Sequence, residues 1–195
     1  MKTAHFQSFI DDSEPDAGPA RLTALRKAIS GAQLNGFLVP RSDVHQGEYV
    51  AKRDERLAWL TGFTGSAGFC AVLPDVAGVF VDGRYRVQVK VQTNATFTPV
   101  DWPETSLPTW LQKNLKTGTI GFDPWLHSWG EIKAHRAALG ENGIQLRPNT
   151  NLIDQIWIDR PDPPNAHAYA YPDDYAGETH SDKRKRLAKM LRDNA

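Results

Sequence analysis

The chain has 195 residues carrying 23 basic and 23 acidic side chains, enough for one domain with a real core and part of a second, with no overall field favouring nucleic acid or an acidic membrane surface. Its one cysteine, Cys70, lies in an apolar run, which excludes a disulfide framework and reads as a small buried side chain in a reducing compartment. No segment approaches the roughly 18 apolar residues of a membrane span, and the N-terminal MKTAHFQSFIDDSEPD lacks the basic start and apolar centre of a secretory signal, so a cytoplasmic chain is expected.

Residues 1–17 are acidic and end in Glu14-Pro15-Asp16, which predicts a flexible arm. Pro19 suits the first turn of a helix. Leu22, Leu25, Ile29 and Ala32 then recur at spacings of three and four, predicting a helix over 20–34 that Asn35-Gly36 stops. GFLVP, residues 36–40, is short, apolar and bounded by breakers, as a buried strand is. A polar, irregular stretch over 41–53 holds Asp43, His45, Gln46 and Glu48. Asp54 is placed to cap a short helix over 55–60, with Leu57, Trp59 and Leu60 towards the core.

The organising stretch is LAWLTGFTGSAGFCAVLPDVAGVFVDGRY, residues 57–85. Gly62, Gly65 and Gly68 allow close approach of backbone to backbone or ligand. Residues 69–73 and 78–81 read as two strands joined at Pro74-Asp75, ending on the charged corner Asp82-Gly83-Arg84-Tyr85. Residues 85–92 alternate Val87, Val89 and Val91 as a strand does, but their Arg, Gln and Lys content, and the strand that follows at 96–100, favour a helix. Ser106 and Pro108 open a helix over 107–116, and residues 119–123 form the next strand. Ser128-Trp129-Gly130-Glu131 matches a capping box for a helix over 129–139. Gly140 ends it, and residues 144–147 make a sixth strand. Strands alternating only in part with helices predict an α/β fold with a mixed sheet between helical layers.

Composition changes after Asp159, where RPDPP begins a stiff linker over 160–175. The closing basic stretch, 181–194, has only Leu187, Met190 and Leu191 on its apolar face. A helix that small cannot bury itself, so residues 176–195 are expected to begin a second domain that the sequence cuts short.

No self-contained catalytic set is visible. The six histidines are scattered, with no H-x-x-x-H or H-x-H pair, so no metal site is expected in this chain. Thr64-Gly65-Ser66-Ala67-Gly68 fails as a nucleophile elbow because position 64 is threonine. The glycine series also lacks the phosphate-loop spacing. Arg84, after a strand end and a glycine, is a guanidinium that could be offered rigidly to a carboxylate or carbonyl; an ion pair with Asp82 is the structural alternative. His45 beside Glu48 has the same ambiguity. Trp59, Trp110, Trp129 and Trp157 read as core or interface anchors.

The ordered series PRSDVHQGEYVA (40–51), ERLAWLTGFTGSAG (55–68), VDGRY (81–85), IGFDP (120–124) and NLIDQIWIDRPDPP (151–164) closely resembles the N-terminal region of cytosolic Xaa-Pro aminopeptidases of the creatinase/prolidase superfamily. The resemblance implies a creatinase-type domain over 18–159, a three-layer α/β/α structure with a six-stranded mixed sheet of ribonuclease-H-like type. It implies no catalytic residue and no metal within this chain. A dinuclear divalent centre, of manganese, would lie in a C-terminal metallopeptidase domain, the chain's own partner. Peptides with proline at the second position would be the substrates, and a homodimer the assembly. The arginine of the family's DGRY motif maps onto Arg84 as a substrate-binding residue, with Tyr85, His45 and the Gly65–Gly68 loop as weaker correspondences. The other reading of the same residues is a stand-alone creatinase-like binding module without hydrolase activity.

Overall fold

The computed structural model describes residues 12–140 and 142–194, which fall into two compact units divided after Pro163. Within the first unit six strands, β1 (Gly36–Pro40), β2 (Phe69–Val72), β3 (Ala77–Val81), β4 (Thr98–Asp101), β5 (Gly118–Phe122) and β6 (Ile144–Pro148), form one sheet in the order β4-β3-β2-β1-β5-β6. β2 runs antiparallel to β1 and β3, whereas the pairs β3/β4, β1/β5 and β5/β6 are parallel. The sheet is therefore mixed, as expected.

Its two faces feed two separate cores. Phe37, Val39, Cys70, Val72, Val79 and Val81 face one way. Leu38, Ala71, Phe80, Ile120 and Leu146 face the other. This alternation, with both faces covered, is why the central strands read as unbroken apolar runs. Over the first face lie α1 (Gly18–Gly31), α2 (Arg56–Thr61), α3 (Gln88–Gln92) and α6 (Leu152–Ile156), which contribute Leu22, Leu25, Leu57, Leu60, Val89 and Ile153. Over the second lie α4 (Leu107–Asn114) and α5 (Trp129–Leu139), which contribute Trp110, Leu111, Ile132 and Leu139. The architecture is three-layer α/β/α.

Several local expectations are met and several corrected. Ser106 caps α4 by accepting the Thr109 amide, and Ser128 caps α5 by accepting the Glu131 amide. The return half of the capping box is replaced, because the Glu131 carboxylate accepts instead from His127 Nδ1 at 3.2 Å. Asp54 does not cap α2: it sits in a 3-10 turn, Lys52–Asp54, and its carboxylate meets Arg56 and Arg160. α1 stops at Gly31, not at residue 34, since Gln33 takes a left-handed φ of 55° and turns the chain towards β1. α3 begins three residues later than expected, after the turn in which the Tyr85 amide donates to the Asp82 carbonyl. α6 has no counterpart among the expected elements. It is capped by Asn151, whose side chain accepts the Ile153 amide.

Most of the expected N-terminal arm, residues 1–11, lies outside the described residues. At its end Pro15–Ala17 forms a 3-10 turn, and the Ser13 hydroxyl donates to the Gly62 carbonyl at 2.7 Å. In the second unit, α7 (Asp173–Ala176) precedes α8 (His180–Asp193), whose N-cap Thr179 accepts the Asp182 amide.

Candidate functional site

Strand register decides which loops meet. Pro40 pairs with Phe69, Phe69 with Phe80, and Val81 with Asp101. The exits of β1, β3 and β4 and the entry to β2 therefore lie at one end of the sheet. The exit of β5, parallel to β1, lies there too. Along this rim come the 41–50 loop, the Gly65–Gly68 loop, the Asp82–Tyr85 corner, Trp102 and the 123–129 segment. The Arg41 amide donating to the Gly68 carbonyl at 3.1 Å and the Ser42 hydroxyl donating to the Leu126 carbonyl at 2.9 Å sew three of these loops together.

At the corner, Asp82 Oδ1 accepts the Arg84 amide at 2.9 Å, while Nη2 of Arg84 donates to Oδ2 at 2.7 Å and Nε to both oxygens. The ion pair named as the structural alternative is thus present. It does not consume the guanidinium: the Arg84 side chain is 65% exposed, and Nη1 has no hydrogen-bond partner among the described residues. Hydrogen bonding to Arg84 holds the Asp82 carboxyl below its usual range. The carboxylate thereby fixes a permanently charged fork on a short tether.

Tyr85 is half-buried where Arg84 is exposed. Its ring stands edge-on to Phe63 at 5.6 Å, the Arg84 guanidinium lies 5.1 Å from its centroid, and its hydroxyl bonds Ser66. That bond to Ser66 lowers the phenol below its ordinary value. Behind it, Gln92 of α3 is buried and ties down the glycine loop: its Oε1 accepts the Thr64 amide at 3.0 Å and its Nε2 donates to Thr64 Oγ1 at 2.9 Å. Sequence reasoning missed this brace because Ser66 and Tyr85 stand 19 residues apart. The signal available was Gln88 and Gln92, which fall on one face once 85–92 is read as helix.

His45 lies at the same end of the sheet but in another loop. There Asp43 Oδ1 accepts the His45 and Gly47 amides at 2.9 and 3.0 Å, and the bond from Gly47 above all holds the Asp43 carboxyl below its usual range. No bond joins His45 to Arg84 or Tyr85 among the described residues. A cleft of about 500 Å³ opens elsewhere, between Arg21, Glu55, Trp59 and Trp157, and none of Arg84, Tyr85 and His45 lines it. Of the tryptophans read as anchors, Trp110 and Trp157 are buried and Trp59 is half-buried, while Trp129 is 71% exposed. Among the described residues no group of three or more His, Cys, Asp or Glu side chains is arranged to hold a metal ion, and no helix is long and apolar enough to cross a membrane.

A mixed six-stranded sheet between helical layers, with an exposed arginine corner at one end, defines an α/β domain whose loops gather at one end of the sheet. Residues 21–156 match the creatinase/prolidase N-terminal domain family, and the chain belongs to it. It is 37% identical over 166 residues to human Xaa-Pro aminopeptidase 2, covering 83% of this chain and 25% of that protein. It is 35% identical over 175 residues to aminopeptidase P1 of Lotus japonicus, covering 87% and 27%. The chain thus spans about a quarter of the length of these relatives. Among solved structures, it overlays on a cytosolic X-prolyl aminopeptidase of Caenorhabditis elegans with a di-nuclear active site, with a TM-score of 0.79 and 26% identity over 91% of this chain and 31% of that one. The N-terminal domain of the peptidase PepQ from Mycobacterium tuberculosis, 22% identical with a TM-score of 0.55, shares the fold.

Proposed function

We propose that the chain is the substrate-enclosing N-terminal part of a metal-dependent Xaa-Pro aminopeptidase, which removes an N-terminal residue preceding proline. The family match and the quarter-length coverage of aminopeptidase relatives support that reading. The observation that carries it is the Arg84 fork, fixed by Asp82 yet mostly open to solvent. In this reading a manganese pair is held by a metallopeptidase domain, and this chain orients the substrate. Arg84 would offer Nη1 to a carbonyl or carboxylate of the bound peptide, which orients it. Tyr85, braced by Ser66, would keep the arginine stem from swinging, and the His45 loop would wall the same opening. In this reading residues 18–159 are the domain proper, 160–175 a linker and 176–195 the opening of a further domain. The working enzyme is a cytoplasmic homodimer.

The test is Xaa-Pro peptidase activity with added manganese, measured for the 195-residue chain alone and for the full-length enzyme carrying it. The chain alone should be inactive. Arg84→Ala in the full-length enzyme should lower kcat/KM by about tenfold, mainly through KM. Activity in the chain alone, or an unaffected Arg84→Ala enzyme, refutes the assignment.

A further inference from the structure

At the end of the sheet away from Arg84, a second cavity of about 270 Å³ is lined by Arg26, Ile29, Ser30, Leu34, Leu73 and Pro74. Val72, the last residue of β2, pairs with Phe37 near the start of β1, which sets Leu73 at that opposite end. Ile29, Leu34 and Leu73 are buried core side chains, so most of the wall is apolar. Protein interiors leave few voids larger than a water molecule, whose share of liquid volume is about 30 Å³. A space of this size is not an ordinary packing fault.

The rest of the wall is polar. Arg26 of α1 is half-buried, and its Nε donates to the Leu73 carbonyl at 3.1 Å, which ties the side chain to the turn after β2. Its Nη1 and Nη2 have no hydrogen-bond partner among the described residues, and no carboxylate there, Asp75 of the adjoining turn included, lies within ion-pair distance. Arg21 of the same helix, by contrast, pairs with Glu14 at 2.7 Å. Burial pushes the Cys70 thiol up, and the charge of Arg26 pulls it the other way, so the guanidinium stands close to the core. A charge in such a place is ordinarily paired. The Ser30 hydroxyl, on the same wall, also has no hydrogen-bond partner among the described residues.

We propose that this cavity binds a small carboxylate with a compact apolar body. With Nε committed to Leu73, the remaining edge of the fork presents Nη1 and Nη2 side by side, which matches the two oxygens of a carboxylate. Ser30 supplies a further donor, and the apolar body fills the space between Ile29, Leu34 and Leu73. A wholly hydrophilic anion such as phosphate satisfies the guanidinium but sets its other oxygens against apolar walls, where they lose hydration without a partner. Two sources share the favoured chemistry, a free branched acid and the C-terminal residue of a peptide. The site lies apart from Arg84 and does not depend on the function proposed for that residue.

Titration of the chain with 4-methylpentanoate, followed by NMR, tests the assignment. The Arg26 Nε–H and the methyl groups of Ile29, Leu34 and Leu73 should shift together and saturate, with a Kd on the order of 1 mM for a ligand of about eight non-hydrogen atoms. 4-Methylpentanamide keeps the body and loses the charge, and acetate keeps the charge and loses the body; each should bind at least about tenfold more weakly. Arg26→Gln, which retains an N–H for the Leu73 carbonyl, should also weaken the acid at least about tenfold, with its fold checked by the urea midpoint. If that variant does not fold, the amide and acetate titrations of the parent chain still decide the question. N-Acetyl-leucine separates the sources: tighter binding than 4-methylpentanoate assigns a peptide C-terminus, weaker binding a free acid, and both uphold the site. Absence of saturable shifts at these residues up to about 20 mM overturns the proposal. So does an amide that binds as well as the acid, or a folded Arg26→Gln chain with unchanged affinity. Acetate binding as tightly as 4-methylpentanoate reduces the cavity to a plain anion site and overturns the apolar assignment.

Discussion

Removing one carboxylate from the junction of α2 and α6 should unfold the domain far more readily than any surface change. Arg56 is 4% exposed. Its Nε and Nη2 donate to Asp154 at 2.7 and 3.0 Å, and Nη1 lies 3.1 Å from Asp54. Arg160 closes the ring, with Nη1 2.7 Å from Asp154 and Nη2 3.0 Å from Asp54. Two cations and two anions alternate, so the cluster is neutral and every charge has two partners. Asp154→Ala leaves Arg56 buried with one partner. Truncating one side of a buried pair costs about 3–5 kcal/mol. Asp154 is itself 29% exposed and Asp54 remains, which places the expected loss near the lower bound, about 3 kcal/mol. With a urea slope of about 2 kcal/mol per molar, the unfolding midpoint should fall by about 1.5 M with the slope unchanged. Arg56→Met combined with Asp154→Leu, which removes both charges, should recover most of that loss. A midpoint for Asp154→Ala within about 0.3 M of the parent, the size of a surface substitution, would show that water screens the cluster and refute the reasoning.

Three further outcomes are expected. Glu131 works against its partial burial, yet hydrogen bonds from His127 and His135 hold its carboxyl down to about 2, against 4.5 when unperturbed. A lowered folded value stabilises above the unfolded pKa and is lost as pH falls from about 4.5 towards 2. At 43% exposure of the side chain the effect is about 1 kcal/mol after screening, and Glu131→Gln should flatten the acid limb of a stability–pH curve in that window. Gly62 ends α2 with φ 86°, and an added Cβ would stand 2.3 Å from the Gln92 carbonyl oxygen. Gly62→Ala should cost at least about 2 kcal/mol by thermal or urea unfolding, whereas Gly130→Ala, with nothing within 4 Å, should not. Cys70 is fully buried and burial pushes its thiol up, so a thiol reagent should label it only at the rate of unfolding; rapid labelling under native conditions would show that β2 opens locally.

Much of the fold was legible along the chain because it depends on local rules. Apolar runs with breakers marked β1, β2, β3 and β5. Ser106 and Ser128 marked the starts of α4 and α5, where a hydroxyl satisfies a helix amide whatever packs nearby. The DGRY corner was legible as a charged strand end, and Asp82 was already the partner in view for Arg84, since two residues apart is within side-chain reach.

Other features depend on residues far apart in sequence, and only the folded chain decides those. Strand order and register brought the 41–50, 65–68, 82–85 and 123–129 segments to one end of the sheet, and no periodicity encodes which strand neighbours which. Asp54 looked like a helix cap; Arg56 and Arg160 claimed it, because a charged partner 106 residues away outcompetes a nearby amide once both are packed together. Glu131 was diverted from its capping box by a nearer competitor, His127, four residues away. Trp129 read as a core or interface anchor, and only the fold shows that its ring at the start of α5 is 71% exposed. Composition and spacing could select the elements, since each forms from its own neighbours. Which loops share one end of the sheet is set by long-range pairing that no single stretch contains.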